Sequence, residues 1–230
     1  KIDKLLDFNF LKNEILLKVL EEAFKEKLIN EKEKEVLFVS QYRSRKNDPM
    51  LVSPSVIVPW DVFYKAEKML IPLLAEYCDK KSLKLNIASA IKSAEKEEEE
   101  FYDSLVGNYN YNFIKRRDGT SGYKAVDSYQ YIVGVNSTLL YESLARKERT
   151  IFFDAKGVDL GTPDDTFGWP LELEPKGPFW TNEITESEFN RLMNLLIDGS
   201  DEQWFESTDS IVKKLVSFDN NNSLLREVIK

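Results

Sequence analysis

Five short apolar runs alternate with longer amphipathic stretches, and this alternation constrains the chain more than any other feature. The runs are Val36–Val39, Leu83–Ala88, Asn112–Lys115, Tyr131–Val135 and Thr150–Phe153. Each is too short for a helix and is bounded by polar or turn-forming residues, as expected of strands buried in a sheet. Between them, Trp60 to about Lys80, Glu95 to Val106, Tyr123 to Ser128 and Ser137 to Arg146 carry apolar residues at helical spacing. Strands alternating with helices predict an α/β fold: a Rossmann-like, open parallel sheet of about five strands flanked by helices. Pro72 should kink the first helix or start a new segment.

The flanks of this unit read differently. Residues 1–30 hold an amphipathic helix with Leu11, Ile15, Val19 and Leu20 on one face, expected to cover the core or link domains. Residues 31–183 form the sheet domain. Within it, residues 44–59 contain three prolines and read as a long loop. Residues 155–183 are rich in Gly, Pro and Trp and read as a packed flap, without regular strand. Residues 184–230 form a C-terminal helical extension, with one helix from Thr185, a second from about Ser210 to Phe218, and a turn at Asn220–Asn222. The chain begins with Lys1, which suggests a piece of a longer protein with a further N-terminal domain.

Composition removes several chemistries. The 230 residues include no histidine and one cysteine, so Ser-His and Cys-His nucleophile systems and internal disulfides are excluded. The single Cys78 suits a reducing compartment, and a cytoplasmic location is expected, with at most peripheral association at the inner face of the membrane. No apolar run reaches transmembrane length. The net charge of −8 does not favour nucleic acid as a partner, although a local basic patch can still bind a phosphate. The acids Glu97–Glu100 read as a solvated helix face, because consecutive helical residues point apart and cannot share one ion. Asp164-Asp165 are a weak cation signal, and no metal is expected. Trp60, Trp169 and Trp180 are expected in core or flap packing rather than as sugar-stacking platforms.

The candidate site lies at the fourth run. After Tyr131–Val135 comes Asn136-Ser137-Thr138, three possible helix caps, and then an apolar helix. A strand, a small polar turn and a helix start present backbone N–H groups to an anion. Ser and Thr also open many helices simply as caps. Position adds weight, because open α/β sheets bind ligands beyond the strands' C-terminal ends. Arg43, Arg45, Arg116 and Arg117 fall at neighbouring strand ends, with Lys115 beside them, and arginine pairs bidentately with phosphate. Glu142, four residues after Thr138, suits either a ribose or sugar hydroxyl or a brace for the turn. Gly134 alone stands near the turn, so neither a Walker loop nor a nicotinamide-type glycine fingerprint is present.

The run Tyr131–Arg146, followed by Thr150–Phe153, resembles the C-terminal, donor-binding half of GT-B glycosyltransferases. More narrowly, it resembles bacterial O-antigen and surface-carbohydrate biosynthesis transferases. Leu37–Arg43, Phe167–Pro170 and Gly177–Trp180 are similar to segments of the O-antigen group. The resemblance spans residues 35–183. It implies a nucleotide-sugar donor held here and a glycan or lipid-linked glycan acceptor held by an N-terminal domain. Asn136, Ser137 and Thr138, with Arg43 and Arg45, would then contact the donor phosphates. Glu142 would hold the ribose or sugar, and Lys115, Arg116 and Arg117 would lie near the base. No catalytic residue is assigned. No metal or other cofactor is implied, since cations and a helix N-terminus neutralise the leaving group. A nucleotide-sugar epimerase of GT-B-like fold and a non-catalytic α/β interaction module stand as the alternatives.

Overall fold

In a computed structural model, residues 32–53, 56–162 and 166–216 are described. The expected N-terminal helix, the Asp164-Asp165 pair and the turn at Asn220–Asn222 fall outside these residues. All five apolar runs form strands: β1 Glu33–Val39, β4 Leu85–Ala88, β5 Tyr111–Ile114, β6 Tyr129–Gly134 and β7 Arg149–Phe153. A sixth, β8 Trp180–Thr181, joins them in the order β5-β4-β1-β6-β7-β8. Every pairing in this sheet is parallel. Among the described residues, the sheet begins in the middle with β1, winds outward through β4 and β5, then returns to the other side of β1. This is the doubly wound Rossmann order, with its switch point between β1 and β6.

Burial explains the sequence pattern. Leu37, Phe38, Ile132, Val133, Ile151 and Phe152 have no exposed surface. Strands covered by helices on both faces need apolar residues throughout rather than in alternation. The covering helices are α1 Trp60–Phe63, α2 Lys65–Lys80, α3 Glu95–Val106, α4 Ser121–Ser128 and α5 Thr138–Ala145. Pro72 lies inside α2, which continues through it. Pro72 is exposed while Ile71 and Leu74 are fully buried, so the lost hydrogen bond falls on the solvent side and packing holds the helix together. The break comes instead at Tyr64.

Two loop expectations need correction. Residues 44–59 contain a 3-10 turn at Arg45–Asn47 and an antiparallel hairpin, β2 Met50–Ser53 with β3 Val56–Val58. Residues 155–183 contain the short helix α6 Lys156–Leu160 and the edge strand β8. A two-residue strand has no periodicity to read. Its position comes from packing: Phe167, Phe179 and Trp180 are buried, Phe167 stacks on both Tyr141 and Trp180, and Phe179 meets Phe152 and Trp180 edge-on. Trp60 is likewise buried, whereas Trp169 is 58% exposed. The last helices are α7 Glu186–Ile197 and α8 Asp201–Leu215. The second starts about nine residues before the expected Ser210 because Ser200 and Gln203 form a reciprocal capping box. Phe189, Leu192, Met193 and Trp204 enter the same core as the sheet. Among the described residues, no helix is long and apolar enough to cross a membrane.

Gly177 is the tightest point of this packing. A Cβ there would meet the Trp180 ring at 2.0 Å. Trp180 is wedged between Phe167 and Phe179 and cannot retreat. The Gly177→Ala variant should therefore lose about 2 kcal/mol through overpacking. An unchanged urea midpoint would show that the aromatic cluster yields.

Candidate functional site

At the switch point, the segments leaving β1 and β6 part and leave a cleft of about 260 Å³. Its floor comes from the ends of β1 and β4, at Val39-Ser40-Gln41 and Ala88-Ser89-Ala90. One wall carries Arg116, Gly119, Gly122 and Tyr123, and the other carries Ser137, Thr138, Leu139 and Glu142. Gly122 permits the walls to approach, because a Cβ there would meet Leu139 Cδ2 at 2.8 Å. Gly134 does the same for helix α5 against β6, where a Cβ would come within 2.6 Å of Leu140.

The Ser137 side chain occupies the cap position of α5 but makes no capping hydrogen bond. Its carbonyl accepts from Leu140 N at 3.0 Å. The first N–H groups of a helix have no partner within it, so the Ser137-Thr138 turn offers hydroxyls and N–H groups to the cleft together. Glu142 sits one turn on, half-buried, with the Tyr123 hydroxyl hydrogen-bonded to it across the cleft. Arg116 is half-buried and donates through Nη1 to the Ala90 carbonyl, which fixes its guanidinium beside the floor.

The structure divides the remaining sequence candidates. Asn136 and Arg43 border a second cavity, of about 160 Å³, that shares Gln41 with the first. Arg45 borders neither. Its guanidinium lies 4.5 Å from the Trp60 ring centroid and pairs with Asp61 at 3.2 Å. Lys115 pairs with Glu95 at 3.1 Å on the outer face of α3, and Arg117 is exposed beyond the wall. Neither lines either cavity.

Three buried charges that support the site escape sequence reasoning. Glu98 is fully buried in α3, which corrects the reading of Glu97–Glu100 as a solvated face. Its carboxylate accepts from Ser40 Oγ at 2.6 Å, Ser89 Oγ at 2.7 Å, Ala90 N at 2.9 Å and Ile91 N at 3.3 Å. Burial raises its pKa against the pull of these donors. Glu97 next to it accepts from Ser44 Oγ and Arg45 N, which anchors the loop after β1. Glu67 and Lys156 form a second buried element, an ion pair of 3.1 Å with 0% and 5% exposure. The Lys156 ammonium also lies 3.9 Å from the Phe63 ring centroid, and burial lowers its pKa. The signal for the two glutamates was spacing: Glu67 is four residues before Ile71, and Glu98 four before Tyr102, so both share a face with core residues.

The geometry defines a doubly wound α/β protein with a polar cleft at its switch point. The chain belongs to the family described as "putative O-antigen biosynthesis protein", whose model matches residues 7–230. No curated protein matches it. Among solved structures, a chain in the crystal structure of accessory secretory protein 1,2 and 3 in Streptococcus pneumoniae is similar, with a TM-score of 0.47 and 11% identity. The match covers 86% of this chain and 34% of that one, so this chain spans about a third of that neighbour's length.

Glu142 gives the site a pH signature. Burial holds its carboxyl above the ordinary value of 4.5, against the pull of Tyr123 and Arg146. The folded protein therefore holds this proton more tightly than the unfolded chain does. The resulting stability is fully present below pH 4.5 and is lost as pH rises through the folded value. Glu142→Gln removes this titration while leaving an acceptor for Tyr123. Between pH 4.5 and neutrality, the wild-type Tm should therefore fall relative to that of the variant. Parallel Tm curves for the two proteins would contradict this assignment.

Proposed function

We propose that this chain is the donor-binding domain of a glycosyltransferase in bacterial O-antigen or related surface-polysaccharide biosynthesis, with a nucleotide-sugar in the switch-point cleft. The observation that carries this reading is the convergence of Ser137, Thr138, Glu142 and Arg116 on one cleft. Donor phosphate would meet the two hydroxyls and the free N–H groups at the start of α5. Glu142, tied to Tyr123, would accept from a ribose or sugar hydroxyl, a neutral partner that a half-buried carboxylate tolerates. Arg116 would add positive charge or stack on the base. Membership in an O-antigen biosynthesis family supports the biological setting.

Glycosyl transfer with such a donor releases a nucleoside phosphate. The charge that develops on it would be met by the N-terminus of α5 and by nearby cations, so we propose that no metal is required. The acceptor, a glycan or lipid-linked glycan, would be brought by another part of the enzyme, and the protein would work at the cytoplasmic face where nucleotide-sugars are made.

A panel of uridine, guanosine, cytidine and adenosine mono- and diphosphates, with their sugar conjugates, tests the reading by calorimetry. One base series should bind. The Ser137→Ala, Thr138→Ala double variant should weaken it about tenfold, the loss expected from one or two hydrogen bonds to a charged group. Its folding should be unaffected, because Ser137 makes no capping bond. Silence across the whole panel would overturn the proposal.

A further inference from the structure

The second cavity lies on the other side of Gln41 from the cleft and is lined by Gln41, Arg43, Val52, Phe63, Asn136, Lys156 and Leu160. Two of these residues are cations. Arg43 is exposed at the mouth, and its guanidinium carbon lies 5.8 Å from the Phe63 ring centroid. Lys156 is inside, 95% buried by its 5% exposure. Val52, Phe63 and Leu160 make the rest of the wall apolar, so a charge here is poorly screened.

Gln41 separates the two spaces with its own side chain. With the carboxamide oriented to satisfy its neighbours, its nitrogen donates to the Asn136 carbonyl at 2.6 Å. Its oxygen accepts from both Asn136 N and Lys156 Nζ at 3.1 Å. One neutral oxygen thus holds a backbone N–H and a buried ammonium at once. Both donors gain strength when the acceptor is an anion. Gln41 is only half-buried and is otherwise held through its main-chain carbonyl, which accepts from the Tyr64 hydroxyl at 3.3 Å. Its side chain can therefore leave without moving the strand.

We propose that the Gln41 amide oxygen is a stand-in for an oxyanion of the ligand. That ligand group, a distal phosphate or the carboxylate of an acidic sugar, displaces Gln41 and sits between Asn136 N and Lys156 Nζ, with Arg43 closing the mouth. The inference rests on the donor-site reading of the adjacent cleft. Glu67 and the fully buried Asp154 both attract the ammonium, but neither borders the cavity, so they hold Lys156 in place without lining the space open to a ligand. Removing Gln41 from the two donors joins the two spaces, so a ligand anchored at Ser137-Thr138 can extend into the second cavity.

Three variants test this by calorimetry with nucleoside mono- and diphosphates, a diphospho-glucose and a diphospho-glucuronate. Gln41→Ala removes the stand-in and should tighten binding several-fold. Gln41→Glu places a fixed carboxylate beside the same donors and should weaken binding at least tenfold. Lys156→Met with Glu67→Gln removes the cation without stranding a buried carboxylate, and should also weaken binding about tenfold. Which ligands respond identifies the source. A response from the diphosphates and both sugars alike marks a phosphate, and one confined to the glucuronate marks the sugar carboxylate. If a nucleotide binds and Ser137→Ala, Thr138→Ala weakens it, but all three variants stay within twofold of wild type for every ligand, the oxyanion site is overturned and the cleft reading stands. If neither wild type nor Gln41→Ala binds any of them, both fall.

Discussion

The cleft depends on one buried carboxylate. Parallel strands end in a row, and the loops that leave them carry main-chain groups that need partners once they are buried. Glu98 supplies those partners for two adjacent loops. It gathers the Ser40 hydroxyl after β1 and the Ser89 hydroxyl with two N–H groups after β4. Tyr102, one turn further along the same helix, donates to Ser40 Oγ at 2.9 Å. A hydrogen bond to a charged group is worth about 1.5–3 kcal/mol, so the set offsets much of the cost of burying the charge. The floor of the cleft is therefore fixed by α3, an element that lines none of it.

The same division of labour recurs on the other side of β1. Tyr64 receives Arg43 N at 2.6 Å, and Trp60 Nε1 donates to the Arg43 carbonyl at 2.9 Å. These aromatic residues form a small second core with Tyr42, Phe63 and Met50 under the β2–β3 hairpin. The loop after β1 is thus clamped from both flanks, by Glu98 and by this core. Gln41 stands between the clamps, and its side chain is held by Asn136 and Lys156. In a rigid frame, that side chain is the natural point of adjustment.

The sheet was legible in the sequence because fully covered parallel strands must be apolar throughout, and five such runs stood out between amphipathic helices. Ser137, Thr138 and Glu142 were legible for a related reason: a switch-point turn follows a central strand and opens a helix. The arginines were only partly so. Arg43 and Arg116 reach cavities, whereas Arg45 is held on Trp60 by stacking and an ion pair that a linear reading cannot see. Glu67, Glu98 and Lys156 were illegible by composition, since lysines and glutamates in charged helices are usually solvated. What distinguishes the two glutamates is the face they share with core residues. β8 could not be read at all, because two residues carry no period and the strand exists through the aromatic packing around it.

The acidic net charge and the proposed anion site are compatible once distance is considered. Screening at physiological salt reduces the influence of exposed charges beyond about 8 Å. Many acidic side chains among the described residues are exposed on helices, and several acids are neutralised locally, as Glu95 is by Lys115 and Asp61 by Lys68. Inside the cavities the balance differs. Lys156 is almost fully buried, the Glu67 and Asp154 carboxylates that attract it do not border the cavity, and Arg43 does. A ligand approaching from solvent meets a weakly repulsive surface, then a cavity whose reachable charges are positive. Such an arrangement does little for the encounter rate and places its selectivity in the bound state. There, a poorly screened ammonium and an oriented N–H separate an oxyanion from a neutral hydroxyl more sharply than surface lysines can.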